Sequence, residues 1–256
     1  MLAEATLFLA LAGTPAPHVK PPPVPQYRIN YVKKQLLKKG LTQDEVDILF
    51  NDKRLLTRME PTIASPDCAP VTWEELETNM MSDESILRGK EFLENNSVAL
   101  RKAETERCVA PQYIVAVIRI ETDLGKCLGN FSAFNVLYHN LVWIRWRSQA
   151  SNLVALAVYC KEIGRRDCLE VPGSSAGAIG LSQFMPISLR FAEDGDGDGD
   201  GIKDLFNRAD AIMSTANFLK KHGWRRNKEM SLRSYYGTGG SYVRITLKYA
   251  KKLKEK

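Results

Sequence analysis

Apolar residues recur at helical spacing along most of the chain from residue 28 onward. The segment SILRGKEFLENNSVALRKAETER is an example, because its apolar positions follow one another at helical intervals. Thr42 comes just after a break at Gly40 and predicts a helix start, with Glu45 completing a capping box. Alternating segments typical of strands are nearly absent. The pattern predicts a mainly α fold, an irregular helical globule with long functional loops.

Two parts of the chain depart from this helical pattern. Residues 52–82 contain several prolines and are predicted to be irregular, and residues 14–27 are rich in proline and predict an extended linker. Ahead of that linker, an apolar run from Ala5 to Ala12 is followed by small residues, which resembles a secretory signal. No Lys or Arg precedes the run, so the alternatives are a start further upstream or a merely apolar N-terminus. We predict that residues 1–27 are a signal-like segment and linker and that the protein is exported.

Neither a lipid anchor nor a membrane-spanning helix finds support in the sequence. No cysteine follows the letters LALAG, where a lipid anchor would require one. No other apolar run approaches the roughly 20 residues of a membrane-spanning helix. The formal net charge of +6 favours an anionic partner such as nucleic acid, a membrane surface or an acidic cell-wall polymer. Because no basic stripe carries interleaved aromatic residues, we predict no nucleic-acid partner.

The five cysteines form no C-x-x-C pair, which argues against a zinc ribbon or a thioredoxin-like site. Cys108 and Cys127 flank a predicted helix of about a dozen residues, roughly 18 Å long. That length exceeds the roughly 7 Å between Cα atoms that a disulfide tolerates. Cys160 and Cys168 are the only pair close in sequence that could form a disulfide. With three histidines in all, a three-histidine zinc site is not expected.

A candidate catalytic acid stands at the end of the most apolar predicted helix. The run IVAVIRI, residues 114–120, predicts a helix that is buried on most of its circumference, and Glu121 follows it directly. Burial and the negative end of the helix dipole both raise the pKa of such a carboxyl group, which suits a general acid. The alternative is a surface glutamate at a frayed helix end. Asp123, two positions further on, is predicted to point away from Glu121.

A second segment with chemical promise is PGSSAGAIGLSQFMP, residues 172–186. Its small residues allow the backbone to approach another backbone or a ligand closely. Gln183 offers donors and acceptors to a partner rich in hydroxyl and amide groups. A tight turn before a helix is the alternative, and it explains the glycines but not the whole segment.

Five segments occur in the same order as in a known family: RIETDLG, GSSAGAIGLSQFMP, DGDGDGIKDLFNRADAI, ANFLKKHGW and SYYGTGGSYV. In them the chain resembles the lytic murein transglycosylases of the membrane-bound lytic transglycosylase B type, an SLT-like family. The resemblance covers roughly residues 28–250. It implies a goose-type, lysozyme-like α-helical core with an additional helical region. We therefore predict a catalytic domain over 28–256, with a helical N-terminal part (28–105) and a lysozyme-like core (106–256).

The resemblance also implies a reaction. Family members cut the β-1,4 bond between N-acetylmuramic acid and N-acetylglucosamine of peptidoglycan without water and leave a 1,6-anhydro end. Glu121 is then the single catalytic acid and base, whereas hydrolytic glycosidases use two carboxylates. The implied substrate-binding residues are Ser174, Gln183, Phe218, Tyr236 and Tyr242. Phe218 stands where the family usually has tyrosine. Tyr235 takes the place of Tyr236 if the alignment shifts by one residue. The family's paired arginines have no clear match, and Arg145 or Arg147 is the candidate substitute.

The aspartate-rich stretch DGDGDGIKDLFN predicts a cation site. Counted from Asp196, its residues match an EF-hand-like loop over 196–207. A count from Asp194 fits worse, and position 12 holds asparagine, so a bidentate role shifts to Asp204 or a water molecule. The alternative is a flexible acidic loop without metal. We predict a structural calcium ion, no organic cofactor, and these ligands: Asp196, Asp198, Asp200, the carbonyl of Ile202, Asp204 and Asn207.

Two other functions fit parts of the same pattern. A hydrolytic, lysozyme-like muramidase would share the substrate and the fold but use water as the nucleophile. A non-catalytic peptidoglycan-binding or calcium-binding scaffold would keep the fold alone. With the transglycosylase assignment go three further expectations: peptidoglycan glycan strands as partner, a monomeric state, and a location in the periplasm or elsewhere in the cell envelope.

Overall fold

The computed structural model describes residues 23–55, 68, 71–191, 195–237 and 240–255. Within these ranges the protein is mainly helical, as the hydrophobic pattern predicts. The α-helices are α1 Gln26–Lys38, α2 Gln43–Phe50, α3 Trp73–Met80, α4 Asp83–Asn95, α5 Ser97–Arg107, α6 Pro111–Thr122, α7 Ala133–His139, α8 Trp146–Glu162, α9 Arg208–Lys221, α10 Lys228–Tyr236 and α11 Gly240–Lys252. Short 3-10 helices lie at Lys53–Leu55, Asn140–Val142, Cys168–Glu170 and Pro186–Phe191.

Helix α6 occupies the centre of the core. Pro111 stands in its first turn, where the missing N–H costs no hydrogen bond. The five residues 114–118 are completely buried, because α4, α5, α9 and α11 pack around the helix. This surrounding explains why the sequence of α6 is apolar on nearly all sides. The C-terminal end of α6, with Glu121, therefore lies inside the protein.

A second group of helices is organised around α8. Helices α1 and α7 pack against it, together with the 3-10 helix Pro186–Phe191. Two short antiparallel strands, β1 (Phe131–Ser132) and β2 (Pro172–Gly173), pair Phe131 with Gly173. Each strand has two residues, which is too short for an alternating pattern to reveal. The pair brings the glycine-rich segment beside the loop that follows α6.

The helix starts follow their capping residues. The predicted capping box is confirmed, since the Glu45 N–H donates to Thr42 Oγ1 at 3.2 Å and the Thr42 N–H donates to Glu45 Oε2 at 2.7 Å. The prediction of an irregular segment over 52–82 is wrong at α3. Thr72 and Glu75 form a second capping box there, and it starts a helix beyond the last proline.

Two disulfides brace the structure. Cys160 and Cys168, the pair close enough in sequence to form a disulfide, are bonded, with their Cα atoms 5.7 Å apart. A second bond joins Cys68 to Cys127 across 59 residues of sequence, a separation that gives no local signal. Cys108 is free. The second bond fastens Cys68 to the loop directly after α6.

Several predictions concern the chain as a whole. The signal-like run and residues 14–22 of the linker lie outside the described residues. The division at residue 105 stays a prediction. Among the helices of the described ranges, none combines the length and the apolar character needed to cross a membrane.

Candidate active site

Glu121 is the penultimate residue of α6, and its side chain is 4% exposed. Burial disfavours the carboxylate and raises the pKa of Glu121 to about 8. A smaller opposing effect comes from Tyr242, whose hydroxyl donates a hydrogen bond to Glu121 Oε1 at 2.8 Å. The group is therefore a carboxylic acid that keeps its proton at neutral pH, as a general acid requires.

A stack of tyrosine rings stands beside this acid. Tyr242 is completely buried, and the ring of Tyr236 stacks on it with the centroids 5.2 Å apart. Tyr235 lies on the buried side, 6.3 Å from Tyr242, and its hydroxyl donates to the Ser182 carbonyl at 2.7 Å. Tyr236 is half-buried and meets the edge of Trp73 at 5.4 Å. The partly exposed ring next to Tyr242 thus belongs to Tyr236, while Tyr235 supports the glycine-rich segment.

Asp123 follows the last turn of α6 with a left-handed backbone, at a φ of 51°. Its carboxylate contacts two guanidinium groups, Arg88 at 2.9 Å and Arg119 at 3.1 Å. Arg119 is 3% exposed and also donates to Ser85 Oγ at 3.0 Å. The nearest carboxylate in sequence to Glu121 is therefore engaged in an ion-pair network.

The glycine-rich segment is fastened to the end of α6. The hydroxyl of Thr122, the residue after Glu121, donates to the Leu181 carbonyl at 2.9 Å. Ser174 is buried, and its hydroxyl accepts hydrogen bonds from the N–H groups of Ala176 and Ala178. A Cβ at Gly173 would lie 2.6 Å from the Ala178 carbonyl oxygen. The small residues thus permit a tight loop. The described hydrogen bonds of the Ser174 hydroxyl are made within this loop.

Gln183 combines backbone strain with an unpaired oxygen. Its φ is +47°, a conformation that costs free energy for any residue other than glycine. The side-chain N–H group donates to the carbonyls of Gly180 at 3.0 Å and Leu128 at 3.2 Å. The side chain is 4% exposed, and its Oε1 has no hydrogen-bond partner among the described residues. A buried acceptor of this kind is suited to a ligand's hydroxyl or amide donor.

Phe218 is enclosed by other aromatic rings. Its ring is 5% exposed and packs against Tyr235 at 4.6 Å and Phe184 at 5.5 Å. It also stacks on His222 at 3.9 Å. These contacts are those of a core residue behind Tyr235, so a contact with substrate stays a prediction.

The two alternative arginines stand near the start of α8. Arg145 is exposed, and the guanidinium of Arg147 lies over the Trp146 ring at 4.6 Å. None of the described contacts links Arg145 or Arg147 to Glu121. Their predicted substitution for the family's paired arginines stays a prediction.

The aspartate-rich loop has a different set of converging oxygens from the predicted one. Carboxylate oxygens of Asp196, Asp198 and Asp210 lie within 4.8 Å of one another, an arrangement that could hold a metal ion. Asn207 instead caps α9, since its Oδ1 accepts from the Ala209 N–H at 2.8 Å. Asp204 is also engaged, because its Oδ1 accepts from the Tyr159 hydroxyl at 3.1 Å.

Asp210 is the residue that the sequence interpretation missed. It lies in the first turn of α9, is 1% exposed, and accepts hydrogen bonds from the N–H groups of Gly197 and Asp204. Burial raises the pKa of Asp210, and the neighbouring Asp198 and Asp196 raise it further. A cation would relieve this repulsion, and an all-oxygen set of donors fits a hard cation such as calcium. The sequence signal that could have identified Asp210 is its position as an acidic residue in the first turn of a helix.

A surface groove of about 740 Å³ lies elsewhere in the fold. It is lined by residues of α1, α8, the 3-10 helix at Pro186–Phe191 and the aspartate-rich loop, among them Tyr31, Tyr159 and Ile202. Neither Glu121 nor the tyrosine stack lines it. The candidate active site is therefore identified by its chemistry and not by the size of a cavity.

Comparison with known families adds to this geometry. A family model described as a transglycosylase SLT domain matches residues 26–253. The chain belongs to this transglycosylase SLT-domain family. A curated relative, the membrane-bound lytic murein transglycosylase B of Escherichia coli (strain K12), is 27% identical over 213 residues. The match covers 79% of this chain and 58% of that relative.

Solved structures of SLT-type proteins share the fold. The soluble lytic transglycosylase SltB1 of Pseudomonas aeruginosa has a TM-score of 0.73 at 23% identity, over 90% of this chain and 98% of that one. Escherichia coli Slt35 in complex with calcium has a TM-score of 0.71 at 19% identity, over 88% and 92%. Pseudomonas aeruginosa SltB3, in complex with NAG-anhNAM-pentapeptide, has a TM-score of 0.61 at 26% identity, over 78% and 53%. The predicted SLT-like helical fold is thus confirmed.

Within this SLT-domain fold, the predicted residues separate into three groups. Glu121, Tyr236 and Tyr242 form one contiguous cluster, and Ser174 and Gln183 belong to the loop that Thr122 fastens to it. Phe218 lies behind the cluster. Asp196 and Asp198 converge with Asp210, whereas the Asp200 carboxylate accepts from the Ile202 N–H at 2.7 Å.

Proposed function

We propose that this SLT-domain protein is a lytic transglycosylase that cuts the β-1,4 bond between N-acetylmuramic acid and N-acetylglucosamine in peptidoglycan. The observation that carries the proposal is the buried Glu121, whose pKa is raised to about 8 by burial while Tyr242 donates to it. The family membership supports the reaction class, and the complex of SltB3 with NAG-anhNAM-pentapeptide supports the substrate class.

Glu121 serves in turn as acid and base. Its protonated form gives the proton to the glycosidic oxygen as the bond from that oxygen to C1 of muramic acid breaks. The resulting carboxylate takes the proton of the C6 hydroxyl as that oxygen bonds to C1. The 1,6-anhydro ring closes, Glu121 regains its proton, and no water is consumed. Tyr242 assists the first step, because its hydrogen bond favours the ionised form that Glu121 takes when it gives up its proton.

The engagement of Asp123 supports a single catalytic carboxylate. A hydrolytic glycosidase needs a second carboxylate about 5 to 10 Å away to attack C1 or to activate water. Asp123 is held by Arg88 and Arg119. An internal nucleophile, the C6 hydroxyl, makes a second carboxylate unnecessary.

The substrate is held by residues around the acid. The free Oε1 of Gln183 accepts from a sugar hydroxyl or an N-acetyl N–H, and the half-buried ring of Tyr236 packs against a sugar face. Ser174 and Phe218 act indirectly, through the shape of the loop and the support of Tyr235. The protein acts on glycan strands as an exported monomer of the cell envelope.

The decisive experiment is an analysis of reaction products. Purified peptidoglycan digested with the protein should yield fragments that end in 1,6-anhydromuramic acid, identified by mass spectrometry. Reducing muramic acid ends would instead show a hydrolytic muramidase. Glycan binding with no cleavage over the whole pH range would favour the scaffold alternative.

Tyr242→Phe is expected to lower kcat about tenfold, the usual effect of losing a hydrogen bond to a charged group. It is also expected to move the alkaline limb of the pH–rate profile upward. The hydroxyl of Tyr242 lowers the pKa of Glu121, so without it the acid keeps its proton to higher pH. Turnover of a soluble peptidoglycan fragment, measured across the neutral and alkaline range, gives both values.

Tyr249→Phe is the matched control for this variant. Tyr249 lies on the same helix and is equally buried, but its hydroxyl donates to the Ser85 carbonyl. Its removal should leave the alkaline limb in place. An unchanged limb in Tyr242→Phe would contradict the assigned role of the Tyr242 hydroxyl.

The three converging aspartates are proposed to hold a structural calcium ion that fixes the loop between Gln183 and α9. Asp196, Asp198 and Asp210 supply the carboxylates, and the Ile202 carbonyl completes the loop's donors. The complex of Slt35 with calcium supports the choice of ion. The ion takes no part in the chemistry.

Calcium at a hundredfold excess over its Kd is expected to stabilise the fold by about 2.7 kcal/mol. Asp210→Asn should abolish most of this gain, because it removes the buried charge of the site. Melting temperatures measured with calcium and with chelator test both statements. Asp44→Asn is the control, since Asp44 lies in the first turn of α2 and is exposed. A melting temperature that does not respond to chelator in the wild type would rule out the structural ion.

A further inference from the structure

Two large apolar side chains project from the loop between the 3-10 helix Asn140–Val142 and α8. Ile144 is 98% exposed and Trp143 is 60% exposed. Their backbone is nevertheless fixed, since the Trp143 carbonyl accepts from the Trp146 N–H at 3.1 Å and from Arg28 at 3.1 Å. The residues Trp143–Arg147 comprise this loop and the first two residues of α8, and are called here the Trp143–Arg147 loop. They expose an apolar tip to water, which costs free energy.

Cations surround this tip. Arg145 and Arg147 belong to the loop, and Arg28 of α1 lies over the Trp146 ring at 5.4 Å. Residues 124–161 contain no Asp or Glu, and helix α1 has four cations and no acidic residue. The loop and the helix that supports it therefore present one sign of charge, which complements an anionic surface.

We propose that the Trp143–Arg147 loop docks the protein onto a bilayer that contains anionic phospholipid. In this arrangement Trp143 and Ile144 enter the boundary between headgroups and acyl chains, and Arg145 and Arg147 contact lipid phosphates. None of the described contacts links this loop to Glu121 or to the tyrosine stack, and the inference does not depend on the proposed reaction.

The nature of the exposed residues favours a bilayer over the other anionic partners. A sugar chain packs on flat aromatic rings, whereas Ile144 offers an aliphatic side chain that a hydrated glycan does not bury. An apolar tip within a cationic rim matches the layered chemistry of a membrane interface.

The test is co-sedimentation of the full chain with vesicles of phosphatidylcholine containing phosphatidylglycerol, compared with phosphatidylcholine alone. The wild type should bind the anionic vesicles, with an affinity that falls as salt is raised. Ile144→Ser and Trp143→Ser should each weaken binding about tenfold or more, because each loses several buried carbons. Arg145→Gln should weaken it about fivefold.

Ile48→Ser is the matched control, since Ile48 is 70% exposed on α2, outside the loop. It should bind vesicles like the wild type, and all variants should keep the wild-type melting temperature, because the replaced side chains are exposed. Equal binding by Ile144→Ser and the wild type would overturn the proposal. The proposal would also be overturned if the wild type bound isolated peptidoglycan but not vesicles and these substitutions abolished that binding. The loop would then be assigned to the glycan.

Discussion

Glu121→Gln is expected to lower the rate of peptidoglycan cleavage about 10³-fold, within the range that general acid–base catalysis contributes. The amide has nearly the shape of the acid but can neither give up a proton to the glycosidic oxygen nor take one from the C6 hydroxyl. Release of 1,6-anhydro fragments, followed by mass spectrometry, measures the loss. Glu91→Gln, at an exposed carboxyl group of α4, serves as the control and should keep full activity.

The same variant should be more stable than the wild type at alkaline pH. Folding raises the pKa of Glu121 from the ordinary 4.5 to about 8, so the folded protein holds a proton that the unfolded chain releases between these values. The wild type therefore loses stability as the pH rises through this window. The amide of the variant has no such proton to lose, so its melting temperature should fall less across the same window. A variant that is inactive and also less stable would indicate a structural role for the carboxyl group.

The sequence anticipates those parts of the fold that depend on local signals. Thr42 with Glu45 acts through neighbours in sequence, and the predicted capping box is confirmed. The bond between Cys68 and Cys127 depends on two residues that only the folded chain brings together. The pairing of β1 with β2 is equally non-local.

The candidate site divides in the same way. The apolar circumference of α6 predicts a buried helix but leaves a surface position for Glu121 as an alternative. In the structure Glu121 is buried, because the helix packs on all sides up to its last turn. The partner of Glu121 comes from α11, and Tyr242 enters the prediction only through the family resemblance. Asp210 was missed because its role depends on a helix start that folds back onto the aspartate-rich loop. Phe218, predicted as a contact residue, lies 5% exposed among core rings.

Asp123→Ala is expected to destabilise the protein by about 3 kcal/mol, the lower end of the cost of breaking a buried ion pair, because Arg119 is buried whereas Asp123 is 21% exposed. Arg119 is 3% exposed, and without Asp123 its guanidinium remains buried close to that of Arg88, with no carboxylate between them. Alanine also fits poorly at a φ of 51°. Urea unfolding monitored by circular dichroism measures the change in the free energy of unfolding.

Asp123→Asn separates the effect of the lost charge from the effect of the left-handed backbone conformation. Asparagine tolerates the left-handed conformation and can still accept from Arg119, so its effect should be smaller than that of alanine. The Arg119→Met variant, alone and combined with Asp123→Ala, completes a double-mutant cycle. Coupling of about 1 kcal/mol or more is expected, since the second substitution removes the cation that the first leaves unpaired. Strict additivity would mean that the two charges do not interact, and the end of α6 would then owe its position to the Thr122–Leu181 hydrogen bond and to packing.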